Sequence, residues 1–297
     1  MRALIVGVLL LVSTSPAVQA KRPAAHERHA RVVKTENAYP IERHVRYSFG
    51  VRNHGPALVR DAEVLAFAPV ERTSMQRTGS ITASQPFELR RDALGNQTLR
   101  FVVTLPPFAA KVIAVDAVVD FAQAARPEEL RTRQEFLRTG PYVQVDDPAI
   151  QRTAADLGGS KPDEIAAGIQ RWVADHIRQG GYVAERRGAR LALESGRGDC
   201  TERADLFVAL ARARGIPART IAGFVIDHDA VLRAAAYHNW AEAYVDGAWR
   251  LADPDKGVWD SSPSQYLALR VLAADAQQTG GAAGVSVSHP DLAVRLE

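Results

Sequence analysis

Cys200 is the only cysteine in the chain, and the residues around it, SGRGDCTERADLFVALARARGIP over 195–217, are those of a nucleophile at the start of a helix. Gly196 and Gly198 announce a turn. Asp199, with Glu202 three residues on, forms a D-x-x-E capping box that leaves Cys200 at the first helical position. Apolar residues then recur with a helical period at Leu206, Phe207, Leu210 and Ala213, and Gly215 with Pro217 ends the run. A thiol placed there meets unpaired backbone N–H groups and the positive end of the helix dipole, both of which favour thiolate over thiol. Asp199, Glu202 and Asp205 oppose that effect, so the chemistry requires a cationic partner.

The partner is found by counting along a hairpin. Residues 238–245, HNWAEAYV, alternate like a strand, Asp246-Gly247 is a two-residue hairpin signal, and residues 248–253, AWRLAD, return. A two-residue loop sets Val245 opposite Ala248 and therefore Trp240 opposite Asp253. His238 lies two positions from Trp240, so His238, Trp240 and Asp253 project from one face of the ribbon. Diagonal neighbours on such a face are roughly 7 to 8 Å apart at the backbone, a gap that a His and an Asp bridge. If the helix bearing Cys200 packs against that face, the result is a nucleophile, the base that activates it and the group that orients the base: Cys200, His238 and Asp253.

These segments, GDCTERADLFVALARARGIPAR followed by HNWAEAYVDGAWRLADP, resemble the core of the transglutaminase-like family. The shared pattern is a helix-start cysteine, a Gly-Ile-Pro-Ala-Arg lead into a strand, His-x-Trp-x-Glu and Trp-x-x-x-Asp-Pro. It spans residues 196–254, with similarity beginning near Tyr142. The resemblance implies a papain-like α+β fold and acyl transfer through a thioester, with Cys200 as nucleophile, His238 as general acid and base and Asp253 as orienter. The family includes cross-linking transamidases, deamidases, peptidases and members without activity, so the resemblance leaves the substrate open.

The rest of the chain must position these groups. Its 297 residues, 46% hydrophobic and 24% charged, suit a globular protein of two domains. The formal charge of +3 falls to +2 without residues 1–20, and no basic run is interleaved with aromatics, which argues against nucleic acid as a partner. Residues 1–20 read as a cleaved signal peptide, with Arg2 as n-region, residues 4–12 as apolar core and Val18-Gln19-Ala20 as cleavage site. That core is shorter than the ~20 residues needed to span a bilayer, and no later segment reads as transmembrane. The expectation is export, to the periplasm if the source is Gram-negative, or secretion. With one cysteine in an oxidising compartment no internal disulfide can form, which leaves a buried small hydrophobe, an intermolecular link or a reactive thiol.

After a leader over 21–39, short alternating runs at 44–51, 62–68, 98–105 and 111–119, parted by turn signals, predict an all-β immunoglobulin-like sandwich over 40–125. The plain role for such a module is packing or positioning. Residues 126–147 form a linker in which Arg126-Pro127-Glu128-Glu129 reads as a short helix start, and 148–297 is the expected catalytic domain. There, Ser160-Lys161-Pro162-Asp163 caps a helix with apolar face Ile165, Ile169, Trp172, Val173 and Ile177, beside which lies His176. His176 reads as a packed or half-exposed helix residue and His228 as part of a solvated loop. Residues 219–226 read as a strand, 227–237 as a loop or helical excursion, 266–272 weakly as a strand, 279–284 as a turn and 285–296 as final strand material. Trp249 reads as core and Trp240 as a shield for the His-Asp pair; Glu242 is either an acceptor behind the site or an exposed charge.

The expected reaction is attack by the Cys200 thiolate on a carboxamide or peptide carbonyl of a protein or peptide substrate, with the envelope of the cell as one source. The backbone N–H of Cys200 is one donor for the oxyanion. No phosphate loop, zinc spacing or EF-hand loop occurs, so no cofactor is implied, and calcium would enter only by analogy with some relatives. Two alternatives share the fold: a peptidase in which water takes the acyl group, and a catalytically idle binding or scaffold protein.

Overall fold

The computed structural model of the protein describes residues 38–130, 132–182, 185–272 and 284–297. The expected signal segment over 1–20, the leader as far as residue 37 and the turn over 279–283 lie outside them. The described N-terminal part is all β: β1 (Ile41–Asn53), β2 (Val59–Ala68), β3 (Gln76–Ala83), β4 (Glu88–Arg91), β5 (Gln97–Leu105) and β6 (Ala110–Phe121). Then come α1 (Pro148–Asp156), α2 (Pro162–His176), β7 (Arg178–Gln179), α3 (Ala189–Ser195), β8 (Arg197–Gly198) and α4 (Cys200–Ala213). The chain continues through β9 (Ala218–Val225), β10 (Ala230–Val231), β11 (Tyr237–Val245), β12 (Ala248–Asp253), β13 (Val258–Trp259), β14 (Tyr266–Leu272), β15 (Val285–Val287) and β16 (Leu292–Leu296).

Alternation along the early strands builds a core between two sheets. One sheet has the order β10-β1-β6-β3, with β16 also on β1, and the other has the order β15-β2-β5-β4. Every second residue of β5, Leu99, Phe101, Val103 and Leu105, is buried, and these meet Phe49 and Val51 of β1 and Ile113 and Val115 of β6. Phe49 and Phe101 touch edge to face at 5.6 Å. Each such buried aromatic contributes roughly 1.5 to 3 kcal/mol. Two strands escape the sequence pattern: β3, QRTGSITA, is mostly polar and half-exposed with a register shift between Thr78 and Ile81, and β4, ELRR, is largely charged and exposed.

Two segments take places that the sequence does not announce. The 126–129 stretch is irregular rather than helical, because its backbone bonds to other elements: the Arg126 N–H donates to the Ser74 carbonyl at 2.8 Å and the Glu128 N–H to that of Gly247 at 2.9 Å. A short 3-10 turn follows at Arg133–Phe136. The final strands, placed by the expected boundaries with the catalytic part, pair instead with the first sheets, β15 with β2 and β16 with β1. Val285, Leu292 and Leu296 fill the sandwich core there.

A third sheet, ordered β13-β12-β11-β9-β14, is covered on both sides. On one side Ala218, Ala241, Ala243 and Ala252 meet Leu206, Phe207 and Leu210 of α4. Small side chains on the strands let the helix approach closely. On the other side Trp240, Trp249, Leu251 and Tyr266 pack with Val70 and Met75, which lie between β2 and β3, and with Phe136. The mixed α+β architecture expected from the sequence is thus observed, with α4 buried over nearly its whole length.

Candidate active site

The helix start forms as its residues dictate. Asp199 is the N-cap of α4, its carboxylate accepting from the Thr201 N–H at 2.8 Å, and Glu202 reaches back to accept from the Asp199 N–H at 3.1 Å. Cys200 is the first helical residue and half-buried. The acids around it are answered one by one. Glu202 accepts from Arg187 at 3.1 Å, and Asp205, fully buried, accepts from Arg186 at 2.8 and 2.5 Å and from the Thr220 hydroxyl at 2.9 Å.

The hairpin has the register expected for a two-residue turn. Val245 faces Ala248 and Ala241 faces Ala252, across Asp246 and Gly247, both at positive φ. His238 and Asp253 meet at 2.7 Å through Nε2 and Oδ2. Burial pulls the imidazole pKa down, but hydrogen bonds to Asp253 and to Cys200, with the negative charge of both groups, outweigh it and raise it to about 9. The balance favours the protonated ring, which then carries the proton that a leaving group needs. With Nε2 committed to Asp253, Nδ1 is left for the sulfur.

The helix approaches from the side opposite to the one that the ribbon geometry suggests. Trp240, Glu242 and Tyr244 make the His238 face bulky, whereas the other face is alanine, and α4 packs on the alanines. Cys200, in the first turn of the helix, meets the imidazole. A hydrogen bond from Asn239 Nδ2 to Thr201 Oγ1, 2.7 Å, ties the residue after His238 to the residue after Cys200 and fixes this crossing.

Asp253 is fully buried and saturated with donors. Its Oδ1 accepts from the Asp255 and Lys256 N–H groups at 3.0 and 3.2 Å, and its Oδ2 accepts from Tyr266 at 2.9 Å besides His238. Tyr266 is a residue that sequence reasoning missed, and its place in a weak strand pattern carries no signal of this contact. Trp240 lies parallel to the imidazole at 6.3 Å and meets Tyr266 edge to face at 5.1 Å, so two aromatics shield the His-Asp pair from water. Glu242 is neither exposed nor in contact with the pair: it is buried against Arg219 at 2.7 Å, whose guanidinium lies 4.0 Å over Trp249. His176 is exposed and stacks on Trp172, and His228 lies in an exposed loop.

A cleft of about 530 Å³ opens beside the sulfur and the imidazole, with Gln179, Tyr182, Tyr237 and Asp255 in its walls. Among the described residues no cluster of His, Cys, Asp and Glu side chains is suited to a metal ion. The arrangement suits a nucleophilic sulfur, a protonated imidazole to serve the leaving group and an open space for an acyl donor.

Comparison with known proteins gives one family match and several likenesses of fold. Residues 151–254 match the model of the transglutaminase-like superfamily. A protein of Cytophaga hutchinsonii provisionally assigned as a cysteine protease shares the fold, with 16% identity and a TM-score of 0.59 over 86% of this chain and 92% of that one. Also similar is the periplasmic domain of TgpA from Pseudomonas aeruginosa, with 18% identity, 71% and 88% coverage and a TM-score of 0.41. The transglutaminase of red sea bream has 12% identity, 73% and 50% coverage and a TM-score of 0.32. No curated protein matches the chain in sequence.

Proposed function

We propose, from the match of residues 151–254 to the model of the transglutaminase-like superfamily, that the chain is an exported cysteine enzyme that transfers acyl groups through Cys200. The observation that carries the reading is His238 held between Cys200 and a saturated Asp253 at the mouth of a cleft. In the first half-reaction the sulfur attacks an amide carbonyl, the S–C bond forms, and His238 gives its proton to the departing nitrogen as the C–N bond breaks. In the second, an amine or water attacks the thioester, loses its proton to His238, and the S–C bond breaks. Asp253 keeps the ring oriented through both. The N–H of Cys200, one of the helix-start groups with no carbonyl partner inside the helix, stabilises the oxyanion.

Export rests on Arg2, the apolar run at 4–12 and the Val18-Gln19-Ala20 site. No described helix is long and apolar enough to cross a membrane.

The test is a peptide library incubated with and without a labelled primary amine, read by mass spectrometry, with Cys200→Ala as control. Label incorporation identifies a transamidase, cleavage or deamidation without it a hydrolase. No Cys200-dependent product from any peptide would leave the idle scaffold as the better reading.

A further inference from the structure

The last strand of the site sheet, β14, has no strand on its outer side among the described residues, yet its backbone there is paired. Two buried side-chain amides replace the missing neighbour. Gln76 accepts from the Ala268 N–H at 2.7 Å and donates to the Ala268 carbonyl at 3.0 Å, and Asn96 does the same for Val271 at 2.6 and 3.0 Å. The Val70 N–H adds a bond to the Ala268 carbonyl at 2.9 Å. Gln76 begins β3 and Asn96 immediately precedes β5, so both sandwich sheets grip the same strand. An amide that presents a donor and an acceptor together reproduces one rung of a β ladder, and its loss would leave buried backbone groups unpaired.

Tyr266 opens this strand, two residues before Ala268, and its hydroxyl reaches Asp253 Oδ2. Burial and the adjacent Asp253 carboxylate hold the phenol pKa well above its ordinary value, which keeps the hydroxyl a donor. Oδ2 therefore divides its negative charge between two donors, Tyr266 and His238. The phenol lowers the share available to the imidazole without moving the carboxylate, because Oδ1 is anchored by two backbone N–H groups.

We propose that Tyr266 is a positioning residue that acts on His238 through Asp253, and that Gln76 and Asn96 hold it there, making the N-terminal sheets a structural wall of the site. This rests on the acyl-transfer reading for its purpose but not for its test. The titratable groups facing His238 are Asp253 from β12 and Cys200 from α4, with Tyr182, Tyr237, Asp199 and Asp255 around the same cleft.

The experiment follows the histidine resonances of the full chain by NMR against pH, with the His238 signal identified by its loss in His238→Ala. In Tyr266→Phe, which keeps the ring and removes one donor, the His238 titration is expected to move upward by roughly half a pH unit. Gln76→Leu should move it the same way, and the double variant should move it no further than Tyr266→Phe alone, because the two act in series. A His238 titration unchanged in Tyr266→Phe overturns the proposal, even if Gln76→Leu fails to fold. If the wild-type protein acylates nothing while the titration still moves, the acyl-transfer reading falls and the positioning role stands.

Discussion

At Asp253 four donors meet one buried carboxylate, and this concentration of hydrogen bonds makes the His238 charge sustainable inside the protein. Asp253→Asn removes the charge and turns one acceptor into a donor facing His238, so kcat/KM for any acyl substrate should fall by about 10² to 10⁴ with the fold retained. The imidazole also links stability to pH. Its folded pKa, about 9, exceeds the value of about 6.5 expected unfolded, so its contribution is complete below pH 6.5 and disappears as pH rises through 9. Urea unfolding of the wild type and His238→Ala should therefore show a gap that is wide at pH 6 and narrow at pH 9.5; a gap independent of pH would mean that the ring is not held as a cation. His238 and Asp253 were legible in the sequence because a two-residue turn fixes hairpin register, and with it which side chains share a face. Tyr266 was not, since its contact depends on a strand that arrives from elsewhere in the chain.

Among the elements, β9 is the seam on which the site sheet closes. His238 of β11 faces Gly223 of β9, and a Cβ at Gly223 would come within 2.0 Å of the Leu267 carbonyl oxygen and 2.8 Å of the Trp240 ring. Backbone cannot yield as a flexible side chain can, so Gly223→Ala should cost about 3 kcal/mol, the upper part of the overpacking range, and displace Trp240 from His238. Thermal unfolding and tryptophan fluorescence would read both effects, and a variant as stable as the wild type would contradict the close approach of β9 and β14. The start of α4 was legible because its cap is local: Asp199 and Glu202 specify it within four residues. The face on which α4 packs was not, for it depends on the alanines of β9, β11 and β12 together and on the bulk of Trp240 opposite.

At the scale of the molecule, the described residues form one unit in which chain order and architecture part company. The C-terminal strands return to the first sheets, where Val285, Leu292 and Leu296 are buried. Ending the chain at residue 283 would expose the edge of β1 that β16 covers, and the loss of three core aliphatics, about 5 kcal/mol together, approaches the whole stability of an ordinary domain. Such a truncation is expected to yield aggregated protein, and a soluble, cooperatively folding product would show that the sandwich closes without them. The sequence patterns revealed sheets followed by an α+β core, but not this return, because a strand's partner is set by tertiary contacts and not by its own alternation. The single cysteine makes one measurement decisive, since every thiol adduct on the whole protein reports Cys200. The rate of iodoacetamide alkylation at neutral pH should exceed that of a free cysteine and should fall sharply in His238→Ala. A wild-type rate no greater than that of a free cysteine, or one indifferent to the loss of His238, would contradict the pairing of sulfur and imidazole on which acyl transfer depends.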